Sequence, residues 1–143
     1  MLFNKILVAF DGSNLSKKAL EKAVYLVKEQ ASANHIPELE IIHAFHYPTV
    51  IGDSYAVDAK KAFLEGAQET LKKAKELVPE DIKAKYVLQN GDPSHTVLQY
   101  AENHQFDLIV MGSRGLGAIR ELFLGSVSHN IVQQSKIPVL VIK

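Results

Sequence analysis

The stretch Ile6-Leu7-Val8-Ala9-Phe10-Asp11-Gly12-Ser13 decides how the rest of the chain is read. Five apolar residues in a row end abruptly at Asp-Gly-Ser. An alternating run would mark a strand with one wet face. An unbroken run of this length fits a parallel strand covered on both faces. Working outward, Leu39 to Phe45 reads as a second strand, and Ile82 to Leu88 alternates partly, as a strand nearer an edge does. Asp107 to Met111 is a fourth, closed by Gly112, and Ile137 to Ile142 is a fifth.

Between these runs the apolar spacing changes to that of helices. Leu15, Ala19, Leu20, Ala23, Val24 and Val27 trace one helix face. Phe63, Ala67, Leu71, Ala74 and Val78 trace a second, stopped by Pro79. Pro93-Ser94 opens a third, carrying Val97, Leu98 and Ala101, where proline suits a first turn. Ser126 to Gln134 is a fourth, with Val127 and Ile131 inward. His46 to Ala56 reads as the one long connection. Strict strand–helix alternation predicts an α/β fold, a parallel sheet with helices on both faces. Ligands of such sheets bind beyond the carboxyl ends of the strands, at the switch in winding direction. Asp11 and Gly112 then face one crevice if their strands are neighbours.

Composition narrows the function classes. The 143 residues fit a single domain, 1–143, with no repeat or linker. The absence of cysteine excludes disulfides, thiolate catalysis and cysteine-bound metal, and it suits a reducing compartment. Lys plus Arg and Asp plus Glu are 16 each, so no long-range field draws nucleic acid or an anionic membrane. Zero net charge is poor for a free monomer and favours a defined oligomer. No leader pattern and no membrane-length apolar stretch is seen, so a cytoplasmic protein is expected.

The chemistry concentrates after the fourth strand. Met111-Gly112-Ser113-Arg114-Gly115-Leu116-Gly117 is a glycine-rich turn, and Gly125-Ser126-Val127-Ser128 starts the last helix. Glycines admit a ligand close to the main chain, and a helix N-terminus offers unpaired N–H groups with partial positive charge. Together they suit phosphate. Arg114 reaches phosphate oxygens or lies in solvent, and Ser126 donates to phosphate or caps the helix. Glycine–serine pairs also serve as plain turns. The pattern is neither a Rossmann fingerprint nor a Walker A loop. Asp11 contacts a ligand or merely supports the turn in which Ser13 or Asn14 caps the first helix. His43 and His46 fall on opposite sides of their strand and do not chelate together. The six histidines read as packing or solvent groups, and no triad motif is present. The interspersed lysines read as solvated helix faces.

The spacing Gly112, two residues, Gly115, nine residues, Gly125-Ser126 resembles the ATP-binding signature of the universal stress protein family. The resemblance extends over Lys5 to Ser13, Ile42-His43-Ala44, Gly91-Asp92-Pro93, Asp107 to Gly112 and Lys136 to Ile142. It implies an adenine nucleotide alpha hydrolase-like, Rossmann-like fold with five parallel strands in the order 3-2-1-4-5. It also implies ATP with Mg²⁺ as cofactors. Asp11 would sit by the adenosine, the Ala44 backbone at the adenine edge, and Gly112 near the ribose. Gly115, Gly125, Ser126 and Val127 would hold the phosphates. The chain departs from the family at Phe10, where a small hydrophobe or Thr is usual, so the adenine pocket is expected to differ in shape. The family dimerises through its last strand, here Ile137 to Ile142, which otherwise simply finishes the sheet.

The function so implied is nucleotide-dependent regulation, with ATP ordering the Gly112–Gly125 loop and the neighbourhood of Asp53. Two rivals stand beside it. One is a slow ATPase or phosphotransferase using Arg114 or Arg120, although no P-loop lysine and no clear base is present. The other is an interaction protein with an empty crevice.

Overall fold

The computed structural model describes residues 2–47, 53–116 and 124–143, with the side chains of 53–56 left aside. The strands are β1 Lys5–Ala9, β2 Glu38–Phe45, β3 Ala84–Asn90, β4 Leu108–Gly112 and β5 Val139–Ile142. The helices are α1 Asn14–Gln30, α2 Asp53–Leu77, α3 Pro93–Asn103 and α4 Ser126–Gln134. They form one parallel sheet in the order β3-β2-β1-β4-β5. The order and the parallel pairing agree with expectation. The 117–123 stretch of the expected loop, Arg120 included, lies outside the described residues, as does the side chain of Asp53.

Alternation along each strand sends its side chains to two cores. Ile6, Val8 and Phe10 pack with Leu20, Val24 and Val27 of α1 and with Ala74 of α2. Leu7, Ile42, Ile109 and Met111 pack with Val97 and Ala101 of α3 and Ile131 of α4. Helices α1 and α2 therefore cover one face, and α3 and α4 the other. Each fully buried aliphatic side chain contributes about 1.5–3 kcal/mol of apolar burial, which makes β1 and β4 the energetic centre.

Among the described residues one acidic side chain sits inside. Glu40 on β2 is 4% exposed. The Tyr100 hydroxyl donates to it at 2.6 Å, and Lys85 Nζ lies 3.9 Å away. Lys85 is largely exposed, so the short hydrogen bond rather than the distant ammonium is the main compensation. Burial first, and then this bond, push the Tyr100 phenol far above its ordinary value, so it stays a neutral donor.

Several expectations about element bounds and burial need correction. Residues 53–56 belong to α2, so the connection expected over His46 to Ala56 is shorter. Phe63 was expected on a buried stripe but is 47% exposed. The 25 residues of α2 rise about 37 Å, against about 27 Å for the eight of β2, so one end of the helix outruns the strand. None of residues 57–66 is buried. The last strand begins at Val139 rather than Ile137. Pro138 precedes it, and the Pro138 carbonyl already accepts from Ile109 N–H at 3.1 Å.

Candidate functional site

The site follows from the winding. β1 and β4 are neighbours, yet the chain leaves β1 toward α1 on one face and leaves β4 toward α4 on the other. Their carboxyl ends diverge and leave a crevice, as doubly wound sheets do. The cleft there has a volume of about 360 Å³. It brings together all eight residues singled out from sequence: Asp11, Ala44, Gly112, Arg114, Gly115, Gly125, Ser126 and Val127.

The floor is apolar. Ile42 and Ala44 of β2, Met111 of β4 and Val97 of α3 line it. Phe10 also borders the cleft, but it is 2% exposed and packs with Ile6 and Val8. The core thus absorbs most of the bulk that was expected to reshape this end.

The rim is polar and built from main chain. Gly125 N–H donates to the Ser113 carbonyl at 2.8 Å. The Ser128 hydroxyl is shared between the carbonyls of Ser113 and Gly125. These bonds fix the start of α4 against the end of β4. The three helix starts with resolved caps differ in kind. Ser13 caps α1 by accepting from Ser16 N–H, and Asp92 caps α3 by accepting from His95 N–H. α4 has Gly125 at its cap position and so no side-chain cap. Ser126 is the first helical residue and not the cap, so that alternative is set aside. The first-turn amides of α4 therefore face the cleft without a side-chain acceptor from the cap position, where an anion gains most.

Asp11 does more than either sequence reading allowed. Its Oδ1 accepts from Ser13 N–H at 2.9 Å, which is the turn-supporting role. Its Oδ2 accepts from Leu116 N–H at 3.1 Å, across 105 residues of sequence. His43 Nδ1 lies 2.8 Å from the Phe10 carbonyl, so this histidine ties β2 to the end of β1 immediately before Asp11. Asp92 is held below the ordinary aspartate value by the His95 N–H, then by the Ser94 hydroxyl.

Sequence reasoning missed Pro93, Val97, Ser13, Ser16 and Ser128 as cleft residues. Gly91-Asp92-Pro93 was a usable signal for the α3 side, because it fixes where that helix begins. Among the described residues no group of three or more His, Asp or Glu side chains could hold a metal ion. No described helix is long and apolar enough to cross a membrane.

Comparison with known proteins agrees with this geometry. The universal stress protein family model matches residues 2–143. Universal stress protein YxiE of Bacillus subtilis is 39% identical over 153 residues, covering 99% of this chain and all of that protein. The solved structure of MJ0577, from Methanocaldococcus jannaschii, superposes with a TM-score of 0.86 at 28% identity, covering 100% of this chain and 97% of that one. A universal stress protein solved in complex with cAMP superposes with a TM-score of 0.62 at 26% identity, covering 99% and 97%. The chain belongs to the universal stress protein family.

Proposed function

We propose that this protein binds ATP, with Mg²⁺, in the cleft between β1 and β4, and that it acts as a nucleotide-dependent regulatory module. The observation that carries this reading is the uncapped start of α4, opening onto an apolar slot beside a single carboxylate. A flat apolar base suits the floor of Ile42, Val97 and Met111, with its edge at the Ala44 backbone. Gly112 and Asp11 are assigned to the ribose end. Gly115, Gly125, Ser126 and Val127 are assigned to the phosphates, and Arg114 to their outer oxygens. The relative solved with cAMP supports an adenine nucleotide as the ligand class.

Magnitudes show why the whole cleft is needed. An anion at a helix N-terminus gains about 0.3–1 kcal/mol, rising to about 2 in partly buried geometry. Micromolar binding needs about 8 kcal/mol. The remainder has to come from base burial and from several main-chain hydrogen bonds at once. Mg²⁺ prefers oxygen ligands and retains water, so phosphate oxygens and water would supply its shell.

The wider reading is one universal stress domain over 1–143, working in the cytoplasm as a homodimer through β5. The strand is an edge, with Val139 and Val141 as the residues whose backbone groups point away from β4. Pairing with a two-fold mate would satisfy them. The test of the ligand is mass analysis of nucleotide released on denaturing the purified protein, followed by titration with ATP. Co-purified or saturably bound ATP supports the reading. A protein that carries no nucleotide and refuses added ATP refutes it. ATP turnover above ~1 s⁻¹, the usual kinase range, and lost on Arg114→Ala, would make the protein an enzyme instead.

A further inference from the structure

Residues 114–116 form a wall shared by two cavities. Arg114, Gly115 and Leu116 line the nucleotide cleft of about 360 Å³. The same three residues line a second cavity of about 340 Å³, with Gly12, Ser13, Asn14 and Leu15 of the α1 start. Leu116 itself is 72% exposed. What crosses to this wall from the sheet is the Asp11 carboxylate, accepting from Leu116 N–H at 3.1 Å.

The glycine at 115 fits that bond. A Cβ built on Gly115 would meet Asp11 Oδ2, the oxygen that accepts from Leu116, at contact distance far below what atoms tolerate. The φ of Gly115 lies outside the left-handed region, so its backbone would accept alanine. A side chain at 115 would therefore push the Asp11 carboxylate off the position from which it accepts, without straining the turn. Asp11 is in turn oriented from its own side by Ser13 N–H on Oδ1.

We propose that Asp11 is a positioning residue that braces the Arg114–Leu116 wall in place before any ligand arrives. This rests on the nucleotide reading for its purpose but not for its geometry. The brace presents the main-chain amides of the glycine turn at the cleft in one arrangement. That removes an ordering cost which binding would otherwise bear. Each carboxylate oxygen has two lone pairs, so Asp11 keeps acceptor capacity for a ligand donor while it holds the wall.

The test uses two substitutions that break one bond from opposite ends. Asp11→Ala removes the acceptor. Gly115→Ala leaves the carboxylate intact but places a methyl where Oδ2 now lies. Hydrogen exchange at Leu116 is read first, in nucleotide-free protein. Loss of one such hydrogen bond speeds local exchange by roughly tenfold. The expected result is a similar acceleration in each variant, with no further gain in the double variant. The ATP affinity of each falls, and the losses are likewise less than additive. Unchanged Leu116 exchange in Asp11→Ala would overturn the proposal, as would strictly additive losses of affinity. If wild-type protein fails to bind ATP while Leu116 exchange responds as expected, the nucleotide reading fails and the brace stands. Circular dichroism of both variants separates a freed wall from a lost fold.

Discussion

A methyl group added at Gly112 would lie 2.7 Å from Leu15 Cβ and 3.0 Å from the Leu15 carbonyl carbon. Glycine at this position therefore has a packing reason independent of any ligand: α1 crosses β4 too closely for a side chain. Gly112→Ala is expected to destabilise the fold by about 1–3 kcal/mol, the usual cost of overpacking. Urea denaturation measures it, and a midpoint equal to the parent's would contradict the packing account. Gly125 is the opposite case. A Cβ there meets its neighbours at 3.4 Å or more, ordinary contact, and its φ of −70° suits any residue. The two glycines look alike in sequence and differ in what they make room for. The same limit hid the Asp11–Leu116 bond, since no local pattern reports a partner 105 residues away. It also hid Glu40, whose burial depends on a tyrosine 60 positions further on.

Elements were legible where the hydrophobic pattern was strong and drifted where a turn residue packs like a strand residue. Ile82 illustrates the drift. It opens the apolar run read as the third strand, yet its N–H donates to the Pro79 carbonyl in a turn, and β3 starts at Ala84. Its side chain still packs against the core from that turn. The start of α3 was legible because two local rules agree there: proline in the first turn and an aspartate before it. Asp92 accepts from His95 N–H and from the Ser94 hydroxyl. Asp92→Ala is expected to cost about 1 kcal/mol near neutral pH, as lost caps do. The pH dependence has a fixed sign. The carboxyl titrates lower in the folded protein than its ordinary 3.8, so its stabilisation is complete above that value. It is lost as pH falls through the lower folded value. The difference in stability between parent and Asp92→Ala should shrink across that acidic window. A difference that stays constant down through it would contradict the capping assignment.

For the whole molecule, the parallel alternating architecture was legible from near-continuous apolar runs between helical stretches, whereas the strand order came from the resemblance to the universal stress protein family. The outward face of β5 was legible in neither. Ile109 and Ser113 donate to the carbonyls of Pro138 and Ile142, so even-numbered residues of the last strand face β4. The missing N–H of Pro138 is on that inner side, and the outer edge keeps its donors. Val141→Pro would remove one outer donor while leaving the inner ladder its partners. If β5 pairs with its two-fold mate, sedimentation should show the parent as a dimer and Val141→Pro shifted toward monomer, with the helical signal retained. A parent that sediments as a monomer, or a variant as dimeric as the parent, would contradict pairing through this edge.

The central claim is that the uncapped start of α4 holds the phosphates of a nucleotide lying across the β1–β4 cleft. Calorimetric titration of Mg²⁺–ATP into the parent and into Gly125→Val tests it most directly. A Cβ at 125 makes only ordinary contacts, and the branched valine side chain stands at the helix start, where phosphate oxygens would approach. The account predicts one saturable site per chain in the parent. It predicts an affinity lower by about tenfold or more in the variant, at least about 1.4 kcal/mol, with unchanged circular dichroism. Equal affinity in the two proteins would contradict it.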